Sequence, residues 1–210
     1  MMTRGASVQE MIPQSIAVMT KPSVATFEQY ERRGGQREAL TYVGAAAAIA
    51  AVAALIGGLI SLAFGGSIIT AIVGAIFAAI ATVVSFFVYA WLVFTVGKAQ
   101  GGTGTQDEVF YSLSLFQAPI QAINGAVGAI PILGCLAVPL TFALGIYGIF
   151  LGYLAVRSSM NLDQNKAIIT MVVAFLGTLV ISAIFGAIML FILTALGVST
   201  MPADMSIPTS

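Results

Sequence analysis

Three side-chain amides, Gln117, Gln121 and Asn124, stand four and three residues apart in an otherwise apolar run, with Pro119 between the first two. On a helix this spacing places them on one face. Hydrocarbon offers an amide no partner, so such a face must turn inward. Two chemistries fit. The amides can line a polar pocket or solute path, or they can bond neighbouring backbones as structural glue. Pro119 frees a carbonyl that an amide could satisfy.

A second constellation is Lys98 with Gly101, Gly102 and Gly104. Glycines beside a lysine invite a phosphate-binding reading. A Walker loop, however, places its lysine after the glycines and follows it with Ser or Thr. Here Lys98 comes first and Ala99 follows. A flexible connector with a topogenic lysine fits the order better.

Other chemistry lacks its residues. The chain has no histidine and one cysteine, Cys135, which excludes a Cys/His zinc site and an internal disulfide. Cys135 reads as a small apolar residue. Acid–base catalysis, proton coupling and voltage sensing within a membrane all need ionisable side chains there. The apolar stretches carry none in their interiors, and a serine nucleophile would lack its base. The expectation is a protein with no enzymatic activity, no cofactor and no metal. Eight basic residues balance eight acidic ones without a basic patch, so no nucleic-acid partner is expected.

The elements that position these residues follow from composition. Of 210 residues 59% are hydrophobic and 8% charged. A soluble domain carries about 25% charge, so most of this surface must face lipid. The length suits one compact helix bundle, an all-α polytopic membrane domain. Five apolar stretches are long enough to span, at about 40–64, 68–96, 109–130, 132–156 and 167–196. Together they make a membrane domain over 40–196, between an N-terminal segment, 1–39, and a short tail, 197–210. The last span invites a break near Gly186.

Residues 1–39 hold five of the eight basic and four of the eight acidic side chains. They lack the apolar run of a secretory signal, so the first span is expected to direct insertion. Ser7-Val8-Gln9-Glu10 fits a capping box. Val8, Met11, Ile12, Ile16 and Met19 then form an apolar stripe, which Pro13 threatens to interrupt. A second short helix is expected from Pro22, with Val24 and Phe27 on its apolar face. The pair reads as amphipathic helices in the headgroup region, the alternative being a disordered tail.

Sidedness is plain. With a cytoplasmic N-terminus, Arg4, Lys21, Arg32, Arg33, Arg37, Lys98, Arg157 and Lys166 all fall on the cytoplasmic side. The other side has no basic residue. The positive-inside rule then gives N-in, C-out and an odd number of spans, hence five. Gly145, Gly148 and Gly152 share a face of the fourth span, which lets another helix approach, within the chain or from a second copy.

The order of features resembles the Yip (Ypt/Rab-interacting protein) domain family in its short bacterial and archaeal form, over roughly residues 12–190. Pro22 and Phe27 precede two spans and the loop Gly101-Gly102-Thr103-Gly104-Thr105. A third span follows with Tyr111 and Pro119, then the turn Pro131-Ile132-Leu133-Gly134. Arg157 and later Lys166-Ala167 close the pattern. The resemblance implies five spans with a cytoplasmic N-terminus. Eukaryotic members bind prenylated Rab-type GTPases and act in vesicle traffic and membrane shaping. This chain has no Asp-Leu-Tyr-Gly-Pro motif, and Arg157-Ser158-Ser159-Met160-Asn161 lacks the family's frequent histidine-glycine.

The functional expectation is a multi-pass membrane scaffold or trafficking factor, in the plasma (inner) membrane if the cell is prokaryotic. It would engage lipid or a protein partner through Phe27, Arg32, Arg33, Lys98, Gly101, Gly102, Arg157 and Lys166, and pack against copies of itself. The alternative is a transporter or channel for a small neutral or lipid-like solute.

Overall fold

The computed structural model of the chain describes residues 5–128 and 134–196, the side chains of 134–136 excepted. The expected turn at Pro131, the side chain of Cys135, Arg4 and the tail 197–210 lie outside the described residues. Every element among them is helical: α1 (Val8–Thr20), α2 (Val24–Tyr30), α3 (Gln36–Ser61), a 3-10 turn (Leu62–Phe64), α4 (Ile68–Ala99), α5 (Gln106–Gly128), α6 (Gly134–Met160) and α7 (Gln164–Ala195).

Local chemistry sets the ends. At α1 the Ser7 hydroxyl accepts from the Glu10 amide at 3.3 Å, and the Ser7 amide donates to the Glu10 carboxylate at 2.7 Å. That is the expected capping box. The second helix starts later than expected. Ser23, not Pro22, is its cap and accepts from the Thr26 amide at 3.1 Å, because a hydroxyl can satisfy an orphan N–H and a proline ring cannot. Pro13, Pro119 and Pro139 all lie inside helices, and α7 runs through Gly186 without a break.

Four helical stretches are long and apolar enough to cross a membrane: Gln36–Phe64, Ile68–Ala99, Ala137–Met160 and Gln164–Ala195. The helix over the expected third span, α5, is not among them. Its 23 residues reach roughly 34 Å, so length is not the shortfall. Ser112, Ser114, Gln117, Gln121 and Asn124 lower its hydropathy. Two of these are fully buried: the Ser114 hydroxyl donates to the Tyr111 carbonyl at 2.8 Å, while the Ser112 hydroxyl has no partner among the described residues.

Glycine and alanine contacts set the helix spacing. An added Cβ at Gly58 would stand 2.5 Å from the Ala71 side chain, which brings α3 onto α4 near their shared turn. One at Gly125 would stand 2.9 Å from the Ala50 backbone, which brings α5 onto α3. α4 packs on α7, and α5 on α6.

The core is lopsided. Val43, Phe86, Val93, Phe110, Phe116, Leu151 and Ala174 pack near the end of the bundle where α3, α5 and α7 begin. Phe86 meets Phe110 edge to face at 5.9 Å. Towards the other end α6 and α7 expose large side chains, with Phe142 69% and Phe191 73% accessible. An apolar surface of this extent suits hydrocarbon, not water.

The N-terminal helices do not rest on this bundle as a separate layer. Met11, Val18 and Phe27 are completely buried and belong to the same core. Phe27 packs edge to face on Phe116 at 6.4 Å. Of the apolar stripe read from the sequence, Met11 turns into the protein, while Ile12 and Ile16 turn outward at 48% and 58% exposure.

Candidate functional site

The charged side chains of the five long helices fall at helix ends that meet one another. Arg37 and Glu38 open α3, Lys98 ends α4, and Asp107 and Glu108 open α5. Arg157 closes α6, and Lys166 opens α7. Hydrogen bonds across this end join elements distant in sequence. Asp107 accepts from the Gln36 amide at 2.9 Å, which satisfies an orphan N–H of α3 and places a carboxylate at its positive pole.

The glycine loop is part of the same joint. Gly101, at φ 89°, ends α4 in the left-handed conformation. The amides of Gly101 and Gly102 donate to the carbonyls of Lys98 and Gly97 at 3.0 and 2.8 Å. These are the two bonds of a Schellman motif. The Thr103 amide then donates to the Met160 carbonyl at 3.0 Å, and the Asn161 amide side chain donates to Thr103 Oγ1 at 3.1 Å. A Cβ on Gly104 would stand 1.6 Å from the Ser159 carbonyl oxygen. The glycines therefore terminate one helix and admit the backbone of another. They do not present a flexible anion cradle, and Gly102 is itself buried.

Of the cations expected to face a partner, Arg32, Arg33, Lys98 and Lys166 are exposed. Arg32 Nε lies 3.0 Å from Glu108 and 3.7 Å from Glu31. Arg33 sits over the Tyr30 ring at 5.0 Å, and Lys98 over Phe94 at 5.7 Å. Arg33, Tyr30, Gln14 and Glu10 border a depression of about 540 Å³ between α1 and the α2–α3 corner. Arg157 is half-buried, bonded to the Tyr153 hydroxyl at 3.2 Å, while its Nε is buried without a partner. Phe27 lies apart from this surface, inside the core.

Polar side chains also fasten the N-terminal helices. Tyr111 donates to the Gln14 side chain at 2.9 Å, and Ser15 and Tyr42 share a hydrogen bond at 2.9 Å. The Tyr147 hydroxyl bonds the Met19 carbonyl. Ser158 donates to the Glu31 carboxylate at 2.7 Å. Burial raises the Glu31 carboxyl above its ordinary range; the Ser158 bond opposes this. None of these pairs has a local signature, since partners stand 27 to 128 positions apart. A tyrosine in the early turns of α3 and of α5 is the one hint.

The three amides separate into two environments. Gln121 and Asn124, with Gly125 and Gly128, form one side of a groove of about 450 Å³. Ala50, Ala54, Gly57 and Gly58 of α3 form its second wall, and Ala78, Ala81 and Thr82 of α4 its third. Thr82 is already bonded to the Ala78 carbonyl at 2.8 Å. Neither Gln121 nor Asn124 has a hydrogen-bond partner among the described residues. Gln117, one turn earlier, does not line the groove, and Pro119 is half-buried nearby on α5. Of the glycine face on α6, Gly152 packs against Met171 and the Tyr89 hydroxyl, and Gly148 meets Ile120 at ordinary distance. Gly145 has nothing within 4 Å of where its Cβ would be.

Four apolar helices of spanning length around one shared core define an integral membrane helix bundle. The sequence model of the Yip1 domain matches residues 16–187, and the chain belongs to the Yip1 domain family. No curated protein and no solved structure matches it.

Proposed function

We propose that this Yip1 family member is a five-span, non-enzymatic membrane scaffold or membrane-organising factor, with its charged end in the cytoplasm and its C-terminus outside. That end recruits a protein partner or anionic lipid. The observation that carries this reading is the joint itself. Termini of α3 to α6 and the α1–α2 hairpin are tied into one surface, where Arg33 and Lys98, with Lys166 at the start of α7, are exposed. A surface held this way is pre-ordered, which lowers the entropy cost of docking.

Five crossings are supported by the length of α5 and by its burial among α3, α4 and α6, which relieves it of the hydropathy a lipid-facing helix needs. The cytoplasmic orientation rests on the positive-inside rule. In a prokaryotic cell the host would be the plasma (inner) membrane. The open face at Gly145 leaves room for a second copy. A non-catalytic role accords with the Yip1 family, which is not known as enzymatic. Transport has less support, because Val43, Phe110 and Phe116 fill the bundle at its charged end.

The test is recruitment to proteoliposomes. The variant Arg33→Glu/Lys98→Glu/Lys166→Glu should melt like the parent yet lose binding to cytosolic proteins or to vesicles rich in phosphatidylglycerol. Unchanged binding of both would remove the docking face. Single cysteines at positions 66 and 98, in a Cys135→Ser background, should label from opposite sides of the membrane.

A further inference from the structure

We infer that the depression between α1 and the α2–α3 corner binds a carboxylate-bearing segment of a protein partner, with the Arg33 guanidinium and the Gln14 side-chain amide as its donors. The inference deepens the proposed docking face and rests on that reading.

Two sets of donors are unspent there. Gln14 is only 6% exposed and borders the depression. Its side-chain oxygen accepts from Tyr111 at 2.9 Å, while its amino group has no partner among the described residues. Buried amides are bonded as a rule, so this idle amino group is the reason to expect a ligand. Arg33 is exposed on the same rim and makes no ion pair among the described residues. Its guanidinium lies over the Tyr30 ring at 5.0 Å, a contact that restrains it without supplying a carboxylate.

The fold holds these donors together. Tyr111 stands between the elements that carry them: its hydroxyl bonds Gln14 on α1, and a Cβ on Gly34, next to Arg33, would stand 2.4 Å from its ring. The Ala6 amide donates to the Arg33 carbonyl at 3.3 Å, which closes the start of α1 onto the same corner. The site is therefore formed before a ligand arrives, which lowers the cost of binding. Its volume of about 540 Å³ is that of an ordinary ligand site.

Charge selects the class. The idle donors call for an anion, and the planar fork of a guanidinium matches a carboxylate. Glu10, one turn before Gln14, borders the depression too, and its carboxylate receives the Ser7 amide at 2.7 Å. A phosphate group offers acceptors only and adds its charge against Glu10. A peptide brings a single charge per carboxylate together with backbone N–H groups that suit an acidic rim. Pro13 and Tyr30 give the chain of such a peptide an apolar surface to lie on.

The experiment uses the full chain in nanodiscs of phosphatidylcholine and reads fluorescence anisotropy of a fluorescein-labelled Gly-Gly-Glu-Glu-Glu peptide. The acidic peptide should bind at least about ten-fold more tightly than its amidated glutamine counterpart. Arg33→Gln, at an exposed position, should weaken binding about ten-fold. Gln14→Glu keeps an acceptor for Tyr111 but replaces the donor by a negative oxygen, and should weaken it at least as much. Lys98→Glu/Lys166→Glu should bind within about two-fold of the parent, since neither lysine borders the depression. No binding of the acidic peptide to the parent, or equal binding in Arg33→Gln and Gln14→Glu, overturns this site; protein recruitment that still depends on Lys98 and Lys166 would leave the docking face standing. Peptide displaced more readily by glycerophosphoglycerol than by acetylated glutamate would assign the site to a lipid headgroup and overturn the peptide.

Discussion

Ser158 and Glu31 form a buried hydrogen bond of 2.7 Å that ties the end of α6 to the residue following α2. The Glu31 side chain is 8% exposed, and it shares its surroundings with Arg32 at 3.7 Å. A carboxylate in this position holds the N-terminal hairpin to the bundle, yet its burial makes the charge costly. The charged end is therefore a joint with a titratable pin.

Burial raises the Glu31 carboxyl above its ordinary value of 4.5, the Ser158 bond lowers it, Glu108 raises it, Arg32 lowers it, and Glu28 raises it. A carboxyl whose pKa is higher in the folded state binds its proton more tightly there. Stability should then fall as pH rises from 4.5 through the raised value, and no further above it. Glu31→Gln keeps an acceptor for Ser158 and removes the charge. It should match or exceed the parent in thermal stability at pH 7 and lose the slope between mildly acid and neutral pH. Parallel pH profiles for the two proteins would disprove the assignment.

Gly104 and Gly145 make opposite predictions for one substitution. Gly104→Ala places a methyl group 1.6 Å from the Ser159 carbonyl, so the α4–α5 loop must separate from α6. About 1–3 kcal/mol of destabilisation is expected. Gly145→Ala meets nothing within 4 Å and should stabilise the helix by up to about 1 kcal/mol. Thermal melts of both variants in one detergent decide this.

Gly145 also distinguishes packing within the chain from packing between copies. Gly145→Leu should not destabilise the monomer, since the site is open and leucine is nearly as good a helix former as alanine. Cross-linking in nanodiscs should show fewer dimers than the parent. Equal dimer yields would show that this face is not an interface.

The tyrosine ties predict local loosening without global unfolding. Tyr111→Phe leaves the Gln14 side chain without its donor, and Tyr42→Phe leaves Ser15 without its partner. Each should weaken hairpin docking by about 1 kcal/mol. Hydrogen exchange should then rise over residues 8–30 and stay unchanged in α4 and α7. Uniform change along the chain would mean that the hairpin unfolds only with the bundle.

Much of the layout was legible because it follows from local physics. The Ser7 capping box, the helices along each apolar stretch and the turn at Gly65–Ser67 need only neighbouring residues. Helix ends were less legible. The apolar count begins α3 at Leu40, but backbone hydrogen bonding begins it at Gln36, where Glu38 and Asp107 satisfy the first amides. The glycine loop was legible as a connector and not a Walker loop, but that Gly104 admits the Ser159 backbone was not, because the residue it meets is 55 positions away. Phe27 was legible as apolar, but whether it met lipid or Phe116 was not.

What the residues determined unaided is the helical, membrane-embedded character of the chain and the segregation of its cations. Hydropathy and charge act on each segment independently of what it packs against. Tertiary structure alone decided that the N-terminal hairpin shares the core, that Glu31 is buried against Ser158, and that Gln121 and Asn124 look into a groove while Gln117 does not. Those outcomes depend on how closely glycine and alanine let particular helices approach, and helix spacing is a property of the pair, not of either sequence.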